Sequence, residues 1–371
     1  MSIRLHFSLT ATATSHTYAN ALLQVMHESL DAAFFDNLFG NNPAYALHQA
    51  ASHGDVPQIH RLVDTDEDID EIHVGVGNFD GIGTALHVAV WCKQPTALAA
   101  LLEQGANMDI LDEGSLNIRM EDTPIRLAVR LGYRDMVKML WDSGARRQDL
   151  PDDDHPMWSV KSSTLLEVAA FEGQADIVSD LLSWTSEWTQ AQQSHALSLA
   201  CGWFRPDVAR ILLEAFQFDQ TTLEGIAFYA TTSQPALDQP FLSRDERFPL
   251  YRRRAKKQAD VIASLLDVHQ RQGDSRTHQA LLNRLFPVAA GLSFRIDALR
   301  LLPQRGADPN SRSERNGMIA LQMALVIQRD TGTFNEEGVE ELLDSGASVD
   351  VLDEAGKRKI EVWRKEKSEG V

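Results

Sequence analysis

A unit of about 20 residues recurs along this chain, and the recurrence limits the possible folds more than any other feature. "TALHVAVWCKQPTALAALLEQGA" (Thr84 to Ala106) aligns with "TPIRLAVRLGYRDMVKMLWDSGA" (Thr123 to Ala145), which begins 39 residues later. "TLLEVAAFEGQADIVSDLL" (Thr164 to Leu182) follows 41 residues further on, and "YALHQAASHGDVPQIHRLV" (Tyr45 to Val63) starts 39 residues before Thr84. Weaker copies begin at His195, Thr221, Arg284 and Ile319. The second half of the Thr221 copy is delayed until "ADVIASLL" at Ala259, and that of the Ile319 copy until "GVEELLDSGASVD" at Gly338.

The spacing inside each copy predicts two short helices. Leu86, Ala89 and Val90 share one helical face, and Leu98, Leu101 and Leu102 share a face of a second segment. Alanine at the packing positions admits a close neighbour. Thr84 and Thr123 stand where an N-cap hydroxyl is wanted, and Pro124 follows at the first helical position. Gly105 and Gly144 stand just past the second helix, where a left-handed residue ends it. One such hairpin cannot bury both of its faces. A stack of them can.

The pattern resembles the ankyrin repeat, Thr-Pro-Leu-His-x-Ala, then Gly, then a second helix ending Leu-Leu and Gly-Ala. Thr84, Leu86, His87, Ala89, Leu101, Leu102, Gly105 and Ala106 match it in order, as do Thr123, Pro124, Ala128, Gly132, Leu140, Gly144 and Ala145. The resemblance implies an all-α, ankyrin-repeat solenoid of about eight units over residues 44–356, three of them degenerate. Residues 1–43 are expected to form an N-terminal helical cap, and residues 357–371 a C-terminal partial cap or tail. Residues 231–254 are read as a loop inserted between the two helices of one unit. The family histidine stands at His48 and His87, but Arg126, Glu167 and Ser198 replace it elsewhere, which predicts looser networks between helices there.

Composition narrows the function. The chain has 371 residues and a formal net charge of -18, so the bulk of its surface repels nucleic acid and anionic membrane. Two cysteines, Cys92 and Cys201, cannot staple a fold of this length, which favours a reducing compartment. No run of about 18 apolar residues predicts a membrane span, and the N-terminus lacks a convincing signal peptide. The expectation is a cytoplasmic protein, or a nuclear one arriving by another route. No zinc pattern, phosphate-binding glycine loop or nucleophile elbow is found, so neither catalytic residue nor metal nor cofactor is assigned. The acidic runs Asp64 to Glu71 and Asp152 to His155 read as solvated loops, because neither has the ligand spacing of a calcium loop.

The resemblance also points to contact residues. In ankyrin repeats, the two residues after the paired alanines of the first helix face a concave groove. Here those places hold Ser52 and His53, Trp91 and Cys92, Arg130 and Leu131, Phe171 and Glu172, Gly202 and Trp203, and Phe228 and Tyr229. Aromatic residues are 7% of the chain, so Trp91, Phe171, Trp203, Phe228 and Tyr229 on one stripe are an enrichment. Trp, Tyr and Arg dominate binding hot spots. The rim is assigned to hairpin-tip residues near Asp80, Met120 and Lys161. One basic island, "RDERFPLYRRRAKK" from Arg244, offers Arg252, Arg253 and Arg254 as an electrostatic clamp, or as a tether to the acidic body. The expected function is a protein–protein interaction module or adaptor whose groove takes a partner protein or peptide. The competing reading is a small-molecule-binding or unusual catalytic protein, its pocket formed by the groove and the 231–254 insertion.

Overall fold

The structure is a computed structural model. It describes residues 31–40, 42–65, 67–72, 82–112, 122–145, 164–233, 244–290, 296–326 and 334–369. Among these residues there are helices and no strands, and an isolated bridge joins Arg312 to Ile319. Two compact units divide after Ser163.

Among the described residues, the first helix of the first unit is α1 (Ala32–Phe39), whose N-cap Asp31 accepts from the Phe34 amide. Three hairpins follow. They are α2 (Ala46–His53) with α3 (Val56–Asp64), α4 (Ala85–Trp91) with α5 (Pro95–Glu103), and α6 (Pro124–Leu131) with α7 (Arg134–Asp142). The first helices pack as one row, α2 on α4 on α6, and the second helices as another, α3 on α5 on α7. Their facing residues, among them Ala51, Ala89, Leu98, Leu101, Ala128 and Leu140, are buried. Each large aliphatic side chain taken out of water there contributes roughly 1.5–3 kcal/mol. Gly105 and Gly144 adopt φ of 86° and 93°, the left-handed geometry expected at these helix ends.

The second unit repeats the plan five times. Its hairpins are α8 (Leu165–Glu172) with α9 (Ala175–Trp184), α10 (Gln190–Gly202) with α11 (Pro206–Ala215), α12 (Gln220–Thr232) with α13 (Arg244–Gln272), α14 (Ser275–Ala289) with α15 (Ile296–Gln304), and α16 (Ala320–Ala324) with α17 (Glu336–Asp344). The rows run α8, α10, α12, α14, α16 and α9, α11, α13, α15, α17. A final helix, α18 (Glu354–Glu369), follows a short 3-10 turn at Val349–Val351.

Two segments differ from the sequence reading. From Arg244 the segment expected to be a loop is already helical, because Arg, Lys, Ala and Gln propagate a helix backward from the buried stretch Ala255 to His269. The first helix of the Arg284 copy starts earlier, at Ser275, where Asp274 caps it by accepting from the Thr277 amide at 2.7 Å.

Candidate functional site

At several hairpin starts the residue at the family histidine position links one hairpin to the next. In α4, the Thr84 amide donates to His87 Nδ1 at 3.1 Å, so His87 Nε2 carries the proton and donates to the Asp122 carbonyl at 3.0 Å. His48 Nε2 meets the Gly83 carbonyl at 3.1 Å in the same way. Each imidazole thus reaches the backbone just ahead of the next hairpin. Burial pushes the His87 pKa down to about 4, which keeps the ring neutral.

Where Arg126 and Glu167 replace the histidine, the network is rebuilt rather than loosened. Glu167 accepts from the Thr164 amide at 2.6 Å with one oxygen and holds His195 Nδ1 at 2.9 Å with the other. This hydrogen bond raises the His195 pKa. Arg126 sits 3.2 Å from Asp122, and Arg130 grips the same carboxylate with Nε at 2.8 Å and a terminal nitrogen at 3.1 Å. Burial alone would raise the Asp122 pKa, but Arg130 and then Arg126 hold it down at about 2.

The expected contact residues separate into distinct environments. In the first unit, His53 is exposed and bonds Asp36 of α1 at 2.7 Å. Trp91 is half-buried. Arg130 is a correction: expected as an open groove residue, it is 6% exposed because its guanidinium turns inward onto Asp122. In the second unit, Phe171 is 7% exposed and supports Trp203, with the rings edge to face at 4.6 Å. Phe171 therefore acts as backing, while Trp203 stays half-buried and Glu172 is partly exposed. The Tyr229 ring lies so close over Gly202 that a Cβ there would collide with it. Phe228 is exposed, with the Arg284 guanidinium 5.3 Å from its ring centre. Trp203, Phe228 and Tyr229 thus form one partly open aromatic patch on α10 and α12.

Arg252 is exposed and pairs with Glu337 of α17 at 2.7 Å, which ties the basic island to an acidic helix. Arg253 is exposed and Arg254 half-buried. Asp80, Met120 and Lys161 lie outside the described residues. Sequence reasoning missed Arg284 and also Arg205, whose Nε donates to the Phe171 carbonyl at 3.1 Å. Neither is one of the signature residues of the repeat. It missed a second network too, in which buried His269 lies 3.3 Å from His278 and 3.4 Å from Glu224. The two histidines are nine residues apart, and only the turn between α13 and α14 brings them together.

Neither thiol suits nucleophilic chemistry. Burial pushes the Cys92 pKa up to about 12 and the Cys201 pKa higher still. Among the described residues, no group of three or more His, Cys, Asp or Glu is placed to hold a metal. No helix among them is long and apolar enough to cross a membrane.

The ankyrin repeat family model matches residues 83–113, the α4–α5 hairpin and its flanks. No curated protein matches the chain. Among solved structures it is similar to the crystal structure of the human ASB11 ankyrin repeat domain, with 18% identity, 81% of this chain and 98% of that chain covered, and a TM-score of 0.39. An ankyrin repeat thus occupies residues 83–113, and among the described residues each unit is all-α and built of helical hairpins packed in rows. A repeat of this family supports a role in protein–protein interaction in general.

Proposed function

We propose that this protein is an adaptor that binds a partner protein or peptide on the aromatic patch of its second unit. The observation that carries this reading is the ring arrangement on consecutive first helices: Phe171 braces Trp203, Tyr229 lies against Gly202, and Phe228 projects to solvent. A braced ring loses little side-chain freedom on binding, so its buried area converts more fully into affinity. Arg284 beside Phe228 adds a charged donor at the edge. The partner fitted to this patch presents an apolar segment, with basic residues around it that face the acidic body.

The experiment is capture from cell lysate by the wild type and by Trp203→Ala and Phe228→Ala variants of equal helicity. Each truncation is expected to weaken the specific partner by roughly 2 kcal/mol, or about thirtyfold in Kd. A partner retained equally by both variants removes the patch as the binding surface and directs attention to the exposed Arg253.

A further inference from the structure

At the far end of the second unit, Phe334, Arg358, Lys359, Val362, Trp363 and Glu366 line an open groove of about 240 Å³. Its centre is apolar. Val362 is 54% exposed and Trp363 forms the floor at 9%. Lys359 and Glu366 are seven residues apart on α18, which is two helical turns, so both line the same face. Val362 and Trp363 fall midway between them.

This arrangement is its own complement. An antiparallel second helix, related by a two-fold axis passing between Val362 and Trp363, places each Lys359 opposite the second copy's Glu366. The pairing occurs twice, and the apolar centres meet on the axis. We propose that the α18 groove is a self-association surface and that its occupant is a second copy of this chain.

The charges favour this occupant. A uniformly acidic segment would meet Glu366, and a uniformly basic one would meet Arg358 and Lys359. The same face read in reverse satisfies both. Residues 354–369 carry six Lys or Arg against four Asp or Glu, so the negative charge of the chain is not concentrated where the copies would touch. Lys359 Nζ donates to the Leu325 carbonyl at 3.2 Å, which leaves further ammonium protons for a carboxylate. This surface is separate from the aromatic patch, and the inference does not depend on it.

The test is sedimentation velocity on the full chain over a wide concentration range, with thermal melts to confirm folding. The variants are Lys359→Glu, Glu366→Lys and the two combined. The wild type is expected to dimerise, each single reversal to weaken the dimer about tenfold because the altered contact occurs twice, and the double reversal to restore it. Glu366→Lys leaves the Leu325 hydrogen bond intact, so its effect reads the contact itself. A wild type that stays monomeric to its solubility limit overturns the proposal, as does a dimer indifferent to either single reversal or one that the double fails to restore. A monomer that binds a labelled Glu–Leu peptide through Val362 also overturns it and gives the groove to an acidic partner.

Discussion

Replacing Asp122 with Asn leaves the side-chain shape almost unchanged and removes the charge that Arg126 and Arg130 both face. Two buried guanidiniums without a carboxylate are expensive, so Asp122→Asn is expected to cost about 3–5 kcal/mol, read as a fall in the urea midpoint at constant slope. Acid reports the same carboxylate. Its folded pKa lies below the unfolded value, so its contribution is complete above about pH 4 and fades as pH falls toward about 2. At this scale the sequence was only partly informative. Arg130 stands at a position that ankyrin geometry directs outward, and nothing local announces that Asp122, eight residues earlier, turns its side chain inward. Lys93 is similar. It takes the place filled by Gly54, Gly132 and Gly173 in other hairpins and adopts φ of 52°. The left-handed backbone costs a non-glycine residue roughly 1–2 kcal/mol, and the ammonium of Lys93 over the Tyr133 ring, at 5.1 Å, offsets part of it.

Between helices, two histidines pull stability in opposite directions with pH. His87 has a lowered pKa and must stay neutral, so its contribution is complete above about pH 6.5 and is lost as pH falls toward about 4. His195 has a raised pKa through Glu167, so its contribution is complete below the unfolded value and is lost as pH rises through the folded one. The His195 side chain is about half exposed, and solvent screening keeps this second effect small. The expected outcome is that His195→Gln lowers Tm on the acidic side of neutrality and leaves the alkaline side nearly unchanged. A Tm-against-pH series for wild type and variant checks it. The hairpins themselves were legible because cap, apolar period and terminal glycine lie within 23 residues, as from Thr84 to Ala106. The early start of α14 was signalled by Asp274 and Thr277, but the alanines after Arg284 gave the stronger match to the repeat. The backward reach of α13 depends on burial of Ala255 and Gln258 against α12, where Gln258 donates to the Ala230 carbonyl at 2.8 Å.

For the molecule as a whole, net charge governs encounter more than fold. With -18 on the chain, a partner with basic flanks is expected to associate faster at low ionic strength and to lose that advantage as salt rises, while its dissociation rate changes little. Stopped-flow association at several salt concentrations measures this, and a salt-independent rate would point to a neutral partner. The aromatic enrichment was visible in the sequence, but its division into braced and projecting rings was not. Phe171 and Phe228 occupy equivalent places in their repeats, yet Trp203 covers the first and solvent meets the second.

The imidazole links in the first unit lie one to each interface, His48 to the Gly83 carbonyl and His87 to the Asp122 carbonyl. In mechanical terms they are fasteners in series. A load drawn along the chain meets the interfaces in turn, and at each one the imidazole shares it with the apolar packing and, at the first, with the hydrogen bond from Gln94 to the Ser52 carbonyl. The weaker opens first and the other holds, so extension proceeds in steps. A hairpin freed in this way, with the 39 residues from one repeat start to the next, adds roughly 130 Å of slack before the next fastener feels the full tension.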